Sequence, residues 1–307
     1  MLTHLLTGHV STDNLLLQRE DFMADKIAII TDSCADVPNE MQEKYNIFVL
    51  PMIINCEDGE YRDGVDITVQ EVYNKIKTEV PKTSSPKGED VLNTFEEVKA
   101  QGYNKAVMIM LSGGLSGTVG YMKMMADEQS EIEIEVYDSF EASIGAGAIA
   151  IQAAKYADEG MDFATLKSEI VKLIANTKVF FSIDTLELLV KGGRIGKAAG
   201  FIGTVLNIKP ILSFDSGDGQ IYAASKVRGN KAVQKELIKL VTNDADTSRR
   251  FNLMVADGGA PEQRDELETK LTEALPGCVD IFRSNIGGAL SVHLGDRLLG
   301  AGIQYLD

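Results

Sequence analysis

Residues 106–120 read AVMIMLSGGLSGTVG, an apolar run that ends at a turn of serine and glycine before a helix-like pattern begins. A buried parallel strand that delivers a loop of small residues to the start of a helix has this pattern. Backbone N–H groups and hydroxyls in such a loop can bind an anion or a carboxylate. The groups available are the N–H groups of Gly113 and Gly114 and the hydroxyls of Ser112, Ser116 and Thr118. A tight turn that needs glycine is the structural alternative.

Two well-known functional motifs do not match this serine-glycine loop (residues 111–118, LSGGLSGT). A Walker phosphate loop ends in GKS or GKT, and the pair Gly117-Thr118 lacks the lysine. A hydrolase nucleophile elbow reads G-x-S-x-G, but here Thr118 stands where the last glycine belongs. The sequence places no base beside either serine, so we interpret the hydroxyls as binding groups.

The composition restricts the class of partner. With 307 residues, 44% of them hydrophobic and 25% charged, the chain has the composition of a globular protein with one large or two ordinary domains. Its 46 acidic and 30 basic residues give a formal net charge of -16, which repels a phosphate backbone. We therefore expect no nucleic-acid partner.

Cysteine and histidine are few and dispersed, at positions 34, 56 and 278 and at positions 4, 9 and 293 respectively. This spacing predicts reduced thiols in a cytoplasmic protein and no metal site. Residues 1–24 lack the features of a secretory signal, and we interpret them as a tail with a short helix near residues 15–22. No apolar run has the length of a transmembrane span, so no transmembrane segment is expected.

Strand-like and helix-like segments alternate along the rest of the chain. The run KIAIITDS predicts a first core strand from Lys26, and IFVLPMIIN predicts a second strand. A hairpin-type turn follows at Asp58-Gly59. Near residue 178 the pattern changes to short elements with glycine-rich turns, which places a domain boundary there.

A second group of hydroxyls lies in the PKTSSP loop (residues 81–86), where a proline on either side restricts the backbone. Ser85 is predicted to be the N-cap of a helix that starts near Gly88. Thr83 and Ser84 have no such local role, so they are candidates for ligand binding.

Two further features have a structural and a functional interpretation. The basic turn (residues 189–197, LVKGGRIGK) concentrates Lys191, Arg194 and Lys197 on an acidic protein, which indicates either solvated surface charge or a docking site. His293 stands in the segment GGALSVHLGD, where a core histidine and a functional histidine are both consistent with the pattern.

Taken in order, these segments resemble the DegV family of bacterial two-domain fatty-acid-binding proteins. The matching segments are TDSCADVP, PKTSSP, LSGGLSGT, YDSFEASIGAG, LVKGGRIGK, IKPIL, KVRG and the histidine at position 293. The resemblance covers about residues 26–307. It implies an α/β fold with an N-terminal parallel-sheet domain (residues 25–178), a C-terminal α/β domain with a mixed sheet (residues 179–307) and a ligand site between them.

The resemblance implies a lipid carrier rather than an enzyme, with no catalytic residue and no cofactor. A long-chain fatty acid would lie in a tunnel between the domains. Its carboxylate would be hydrogen-bonded by the two hydroxyl loops, in which Thr83, Ser84 and Ser112 match the family's positions, with His293 near the head group. Gly113, Gly114 and Ser116 complete the predicted ligand-binding set.

The resemblance also implies a protein partner. A separate fatty acid kinase would phosphorylate the bound carboxylate to an acyl phosphate, a precursor for phospholipid synthesis. Arg194 and Arg228 match basic positions at which the kinase is expected to dock.

Three residues depart from the family pattern. Gly113 replaces a serine and Val119 replaces a tyrosine in the serine-glycine loop, and Asp296 follows His293 in H-L-G-D-R, where the family has H-x-G-P-G. Two alternatives therefore stay open. One is a hydrolase or phosphotransferase with His293 as base and Ser112 or Thr83 as nucleophile. The other is a binder of a different carboxylate or a phosphorylated ligand.

Overall fold

The strands alternate with helices along the computed structural model, which describes residues 25–201, 208–243 and 245–307. The predicted tail and its helix near residues 15–22 lie outside the described residues. The strands are β1 Ile27–Asp32, β2 Ile47–Leu50, β3 Ile53–Cys56, β4 Gly59–Arg62, β5 Lys82–Ser84, β6 Lys105–Met110, β7 Glu133–Asp138, β8 Thr177–Ser182, β9 Ile208–Phe214, β10 Ile221–Arg228, β11 Phe251–Gly258, β12 Ile281–Asn285 and β13 Leu298–Tyr305.

The helices of the described residues are of ordinary length or shorter. They are α1 Asn39–Tyr45, α2 Val69–Lys75, α3 Gly88–Ala100, α4 Thr118–Asp127, α5 Ile144–Asp158, α6 Phe163–Ala175, α7 Glu187–Lys191, α8 Asn230–Thr242, α9 Pro261–Ala274 and α10 Gly288–Leu294, with 3₁₀ turns at Ser33–Ala35 and Gly196–Phe201. None of these helices is both long enough and apolar enough to cross a bilayer.

The strands form three sheets. A parallel sheet has the order β2-β1-β6-β7, and a six-stranded mixed sheet has the order β10-β9-β8-β13-β11-β12, in which β11 and β12 are parallel. A small antiparallel sheet has the order β4-β3-β5. The expected α/β fold with a parallel-sheet domain and a mixed-sheet domain is confirmed. The predicted boundary at residue 178 falls inside β8, and the limits of the domains stay a prediction.

The first strand explains how the parallel sheet is covered on both faces. Ile27 and Ile29 of β1 belong to one apolar cluster, whereas Ala28 and Ile30 belong to another, because successive side chains of a strand point to opposite faces. The cluster of Ala28 and Ile30 is completed by α3 and α4, for example by Phe95.

Helix α5 fills the space between the two large sheets, and 12 of its 15 residues are buried. Its small residues permit this close packing, since a Cβ on Gly147 would lie 2.4 Å from the carbonyl oxygen of Ala35. A buried amide network continues the contact, because Asn252 of β11 donates to both Gln152 of α5 and Gln304 of β13 at 3.1 Å. On the far side, α8 and α9 cover the mixed sheet through an apolar cluster that includes Leu237 and Leu271.

The prediction of one strand for IFVLPMIIN is wrong. Strand β2 ends at Leu50 and β3 begins at Ile53, and the two belong to different sheets. Pro51 lies at this break, where the missing N–H prevents continuous pairing. The split carries the chain from the parallel sheet to the small sheet that holds the PKTSSP loop.

Candidate ligand-binding site

A cavity with an empty volume of ≈ 570 Å³ lies where the carboxyl ends of the parallel strands face α10 and the mixed sheet. Its wall is mainly apolar. The polar lining residues are Thr83, Ser84, Ser116, Arg194 and His293, with the thiol of Cys34, and the larger apolar ones are Met52, Leu111, Leu115, Phe181, Leu189, Phe214, Ile221, Leu290 and Leu294.

A second cavity, with an empty volume of ≈ 320 Å³ that includes space open to solvent, adjoins the first. Phe181, Phe214, Leu290 and Leu294 line both cavities, and the rings of Phe181 and Phe214 stack with centroids 5.3 Å apart. Apart from Ser143, the second cavity is lined by apolar side chains and glycine. The polar groups therefore gather in the first cavity, and the apolar wall continues into the second.

Thr83 and His293 meet at the polar part of the first cavity, with Thr83 Oγ1 2.8 Å from His293 Nε2. Thr83 is held in β5 by pairing with Ile54 of β3, and His293 lies in the last turn of α10. Burial, and secondarily the positive charge of Arg194, lower the pKa of His293 to about 4. The imidazole is therefore neutral at pH 7. If its Nε2–H donates to Thr83, the threonine hydroxyl keeps its own proton for a ligand oxygen.

Arg194 lies in the cavity beside this pair. Its Nε donates to the carbonyl oxygen of Leu115 at 3.3 Å, and a terminal nitrogen donates to the carbonyl oxygen of Gly192 at 2.5 Å. The other cations of the basic turn are exposed and paired, Lys191 with Glu187 at 2.6 Å. The basic turn therefore directs one charge inward.

The remaining basic residues of interest lie away from this position. Lys197 pairs with Asp215 at 2.8 Å and with Asp218 at 2.9 Å. Arg228 ends β10 and is exposed. These positions leave both residues accessible to a partner protein.

Among the serines and glycines of the serine-glycine loop, Ser116 lines the cavity. Its Oγ lies 2.8 Å from Thr118 Oγ1, which lies 2.9 Å from Ser85 Oγ. The prediction that Ser85 caps α3 is therefore wrong. Lys87 occupies the N-cap position without a side-chain hydrogen bond, and the Ser85 hydroxyl is instead engaged by Thr118.

The other predicted members of this loop have partners of their own. Ser112 is buried, donates to the carbonyl oxygen of Gly219 at 2.9 Å and accepts from the N–H of Gly114 at 3.1 Å. The N–H of Gly113 donates to both carboxylate oxygens of Asp138 at 3.1 Å. These contacts fix the loop against the DSGDGQ turn (residues 215–220) and the end of β7.

One group of described residues has the spacing of metal ligands, but the ammonium group of Lys75 lies against it. Ligand atoms of Cys56, Asp58 and Glu79 lie within 4.8 Å of one another. Lys75 Nζ lies 2.6 Å from Asp58 and 3.6 Å from Glu79, so its ammonium group balances the carboxylates.

The sequence matches a family model over nearly its whole length. Residues 26–306 match the model described as "Uncharacterised protein, DegV family". The chain belongs to the DegV family. A DegV domain-containing protein of Clostridium acetobutylicum is 39% identical over 277 residues, which cover 90% of this chain and 98% of that protein.

Solved DegV structures have the same fold. One, described as "Fatty Acid Binding of a DegV family Protein from Thermus thermophilus", is 29% identical with a TM-score of 0.84 and covers 91% of this chain and 99% of its own. Another, "DegV, a fatty acid binding protein from Bacillus subtilis", is 27% identical with a TM-score of 0.82 and covers 92% and 99%.

In this DegV chain the predicted site residues fall into two sets. Thr83, Ser84, Ser116 and His293 come together at one cavity. Ser112, Gly113 and Gly114 support the loop, and the described lining residues include none of the three. The position of Arg194 in the cavity was not predicted, because the sequence does not tell which cation of the basic turn faces inward. The available signal for this inward position is Gly192, two residues before Arg194, because glycine lets the turn pack directly against His293.

Proposed function

We propose that this DegV protein binds a long-chain fatty acid in the two adjoining cavities. The carboxylate lies beside Thr83, Ser116, His293 and Arg194, and the acyl chain runs along the apolar wall into the second cavity. One observation carries the proposal: hydroxyls and a guanidinium gather in a cavity whose wall continues as an almost entirely apolar space. The solved DegV relatives, described as fatty acid binding, support it.

The energetics favour an amphipathic ligand of this kind. Burial contributes ~0.8 kcal/mol for each CH₂, so an acyl chain of about fifteen methylenes offers on the order of 10 kcal/mol. Each charge-assisted hydrogen bond at the head group contributes about 1.5–3 kcal/mol. The chain therefore supplies most of the affinity, and the polar groups determine the orientation.

We also propose that the bound acid is presented to a separate fatty acid kinase in the cytoplasm, which converts the carboxylate to an acyl phosphate. The position of Arg228 at the exposed end of β10 supports a docking role for this residue. Arg194, in the basic turn, would act at the head group instead.

The alternative hydrolase has partial geometric support. The 2.8 Å contact of Thr83 with His293 is short enough for a nucleophile and its base. However, His293 Nδ1 has no hydrogen-bond partner in the described part of the chain, so no carboxylate orients the ring. Its lowered pKa also makes the imidazole a weak base. These observations support a carrier.

Native mass spectrometry of the purified protein, followed by solvent extraction, tests the proposal. We expect one long-chain fatty acid per chain, bound as purified or after addition. Thr83→Val, which removes one hydroxyl, should weaken binding by about tenfold or more. Thr94→Val on α3 is the matched control and should bind normally. A folded protein that takes up no long-chain acid would overturn the proposal.

A further inference from the structure

Helix α10 forms one wall of the ligand site. Leu290, His293 and Leu294 of this helix line the first cavity, and both leucines also line the second. The helix has seven residues, about two turns, and a helix this short is not stable by itself. Its position, and with it the position of the imidazole, must be fixed by contacts with the rest of the protein.

Two carboxylates, those of the partly buried Asp36 and the buried Asp63, lie at the N-terminus of α10. Asp36 Oδ1 accepts a hydrogen bond from the N–H of Gly287 at 2.8 Å. The carboxylate of Asp63 faces the N–H groups of Gly288 and Ala289, which lower its pKa and so oppose the effect of burial. These N–H groups belong to the first turn, where a helix has unpaired donors and a partial positive charge. Both carboxylates come from the N-terminal half of the chain, so the contact joins α10 to the parallel-sheet side of the site.

The glycines at the start of α10 are required by this contact. A Cβ on Gly287 would lie 2.8 Å from Asp36 Oδ1, and a Cβ on Gly288 would lie 2.7 Å from Asp63 Oδ1. The carboxylate oxygens thus occupy the positions that larger side chains would need. This explains the GG pair that precedes ALSVH in the sequence.

Two serines hold the carboxylates in place. Ser143 Oγ donates to Asp36 Oδ2 at 2.6 Å. Ser33 Oγ donates to Asp63 Oδ2 at 2.7 Å and accepts from the N–H of Met52 at 3.1 Å. Each carboxylate therefore has one oxygen on a serine and faces the helix with the other.

Hydrogen bonds and the helix terminus, rather than a cation, balance these charges. No lysine or arginine nitrogen of the described residues lies within 4.0 Å of either carboxylate. Burial raises the pKa of both Asp36 and Asp63 above the usual range for a carboxyl group. Burying the Asp63 carboxylate and partly burying that of Asp36 without a cation is costly, and a cost of this kind is typical of functional sites.

We propose that Asp36 and Asp63 are positioning residues of the ligand site. They anchor the N-terminus of α10 and thereby fix the imidazole of His293 against Thr83 and the leucine wall against the acyl chain. Loss of either anchor speeds release of the bound acid. The faster release of the acid rests on the proposed function, whereas the fixed position of the His293 imidazole does not.

The test compares Asp36→Asn and Asp63→Asn with Glu40→Gln, a neutralised acid at an exposed position of the same region. Asparagine keeps the size of the side chain but removes the charge and one acceptor oxygen. NMR titration of the ligand-free protein, with the His293 signal assigned from His293→Gln, reports the imidazole. Its pKa should move from about 4 towards the ordinary 6.5 in both asparagine variants and stay low in Glu40→Gln.

The second readout is the dissociation rate of a bound long-chain fatty acid, which should rise by about tenfold or more in both asparagine variants. Failure of the unmutated protein to bind fatty acid would contradict the proposed function. The NMR titration of His293 would then decide by itself whether Asp36 and Asp63 anchor α10. An unchanged pKa of His293 in both folded asparagine variants would overturn the inference.

Milder variants cover the case in which the asparagine variants fail to fold. Ser33→Ala and Ser143→Ala keep both carboxylates and remove one hydrogen bond to each. Amide hydrogen exchange at residues 287–289 should then be about tenfold faster, with exchange at the buried Val255 in the interior strand β11 unchanged. Unchanged exchange at residues 287–289 in both serine variants would also overturn the inference.

Discussion

A Cβ atom on Gly192 would lie 2.3 Å from Nδ1 of His293, so the peptide of the basic turn is in direct contact with the imidazole. Gly192 has φ -77°, which any residue can adopt, so the requirement for glycine here is steric. The turn that carries Arg194 therefore also forms the back of the histidine site.

Gly192→Ala should push the imidazole away from Thr83. We expect a loss of about 1–3 kcal/mol in the free energy of unfolding, typical of overpacking, and fatty acid binding weakened by about tenfold. Gly200→Ala is the matched control, because a Cβ at Gly200 has no atom within 4 Å. Chemical denaturation and fatty acid titration measure both effects, and equal binding by the two alanine variants would contradict the steric argument.

The pH dependence of stability should contain a contribution from His293. Because the folded pKa is about 4 and the ordinary value is 6.5, the unfolded state binds more protons between these two pH values. The contribution is fully present above pH 6.5 and is lost as pH falls to about 4. At about 1.4 kcal/mol for each pH unit, this loss is about 3 kcal/mol.

The difference between the unmutated protein and His293→Gln isolates this contribution. Glutamine does not titrate, so the variant should lose about 3 kcal/mol less in unfolding free energy on going from pH 7 to pH 4. Asp32 acts in the opposite direction, because burial raises its pKa to about 6, but it is present in both proteins and cancels. Parallel stability curves for the two proteins would show that the imidazole is not buried as the structure has it.

Two serines of one loop should respond differently to removal of the hydroxyl. Ser112→Ala leaves the carbonyl oxygen of Gly219 without its buried donor and should cost about 1–3 kcal/mol in unfolding free energy, with fatty acid affinity nearly unchanged. Ser116→Ala should weaken fatty acid binding by about tenfold with a smaller effect on stability, because Ser116 lines the cavity. The reverse pattern would return Ser112 to the ligand-binding role that the sequence suggested.

The fold was largely predictable because its signals are local. Strands β1 and β6 are apolar runs that end at polar or glycine-rich turns, and both are confirmed. The hairpin turn at Asp58-Gly59 is also confirmed, between β3 and β4. The error at Pro51 arose because an apolar run on both sides of a proline has the same composition whether it forms one strand or two.

The arrangement of the site depends on contacts between distant residues, which local patterns do not contain. Thr83 and His293 are 210 positions apart, and the Ser85 hydroxyl bonds Thr118, 33 positions away, rather than the adjacent helix. The sequence motifs selected segments that the structure brings together at one cavity. Which member of each segment faces the cavity was decided by tertiary packing.

Arg194 tests whether a residue's position in the structure or its sequence motif better predicts its role. A docking role predicts that Arg194→Gln binds fatty acid normally, whereas its position in the cavity predicts a loss of about tenfold or more, because the head group loses a charge-assisted hydrogen bond. Lys197→Gln is the matched control, since Lys197 is exposed and paired with acids of the DSGDGQ turn. The glutamine at 194 should also raise the pKa of His293, because a nearby positive charge is removed. If Arg194→Gln changes neither the fatty acid affinity nor the histidine pKa, the guanidinium acts at the surface, as the sequence alone indicated.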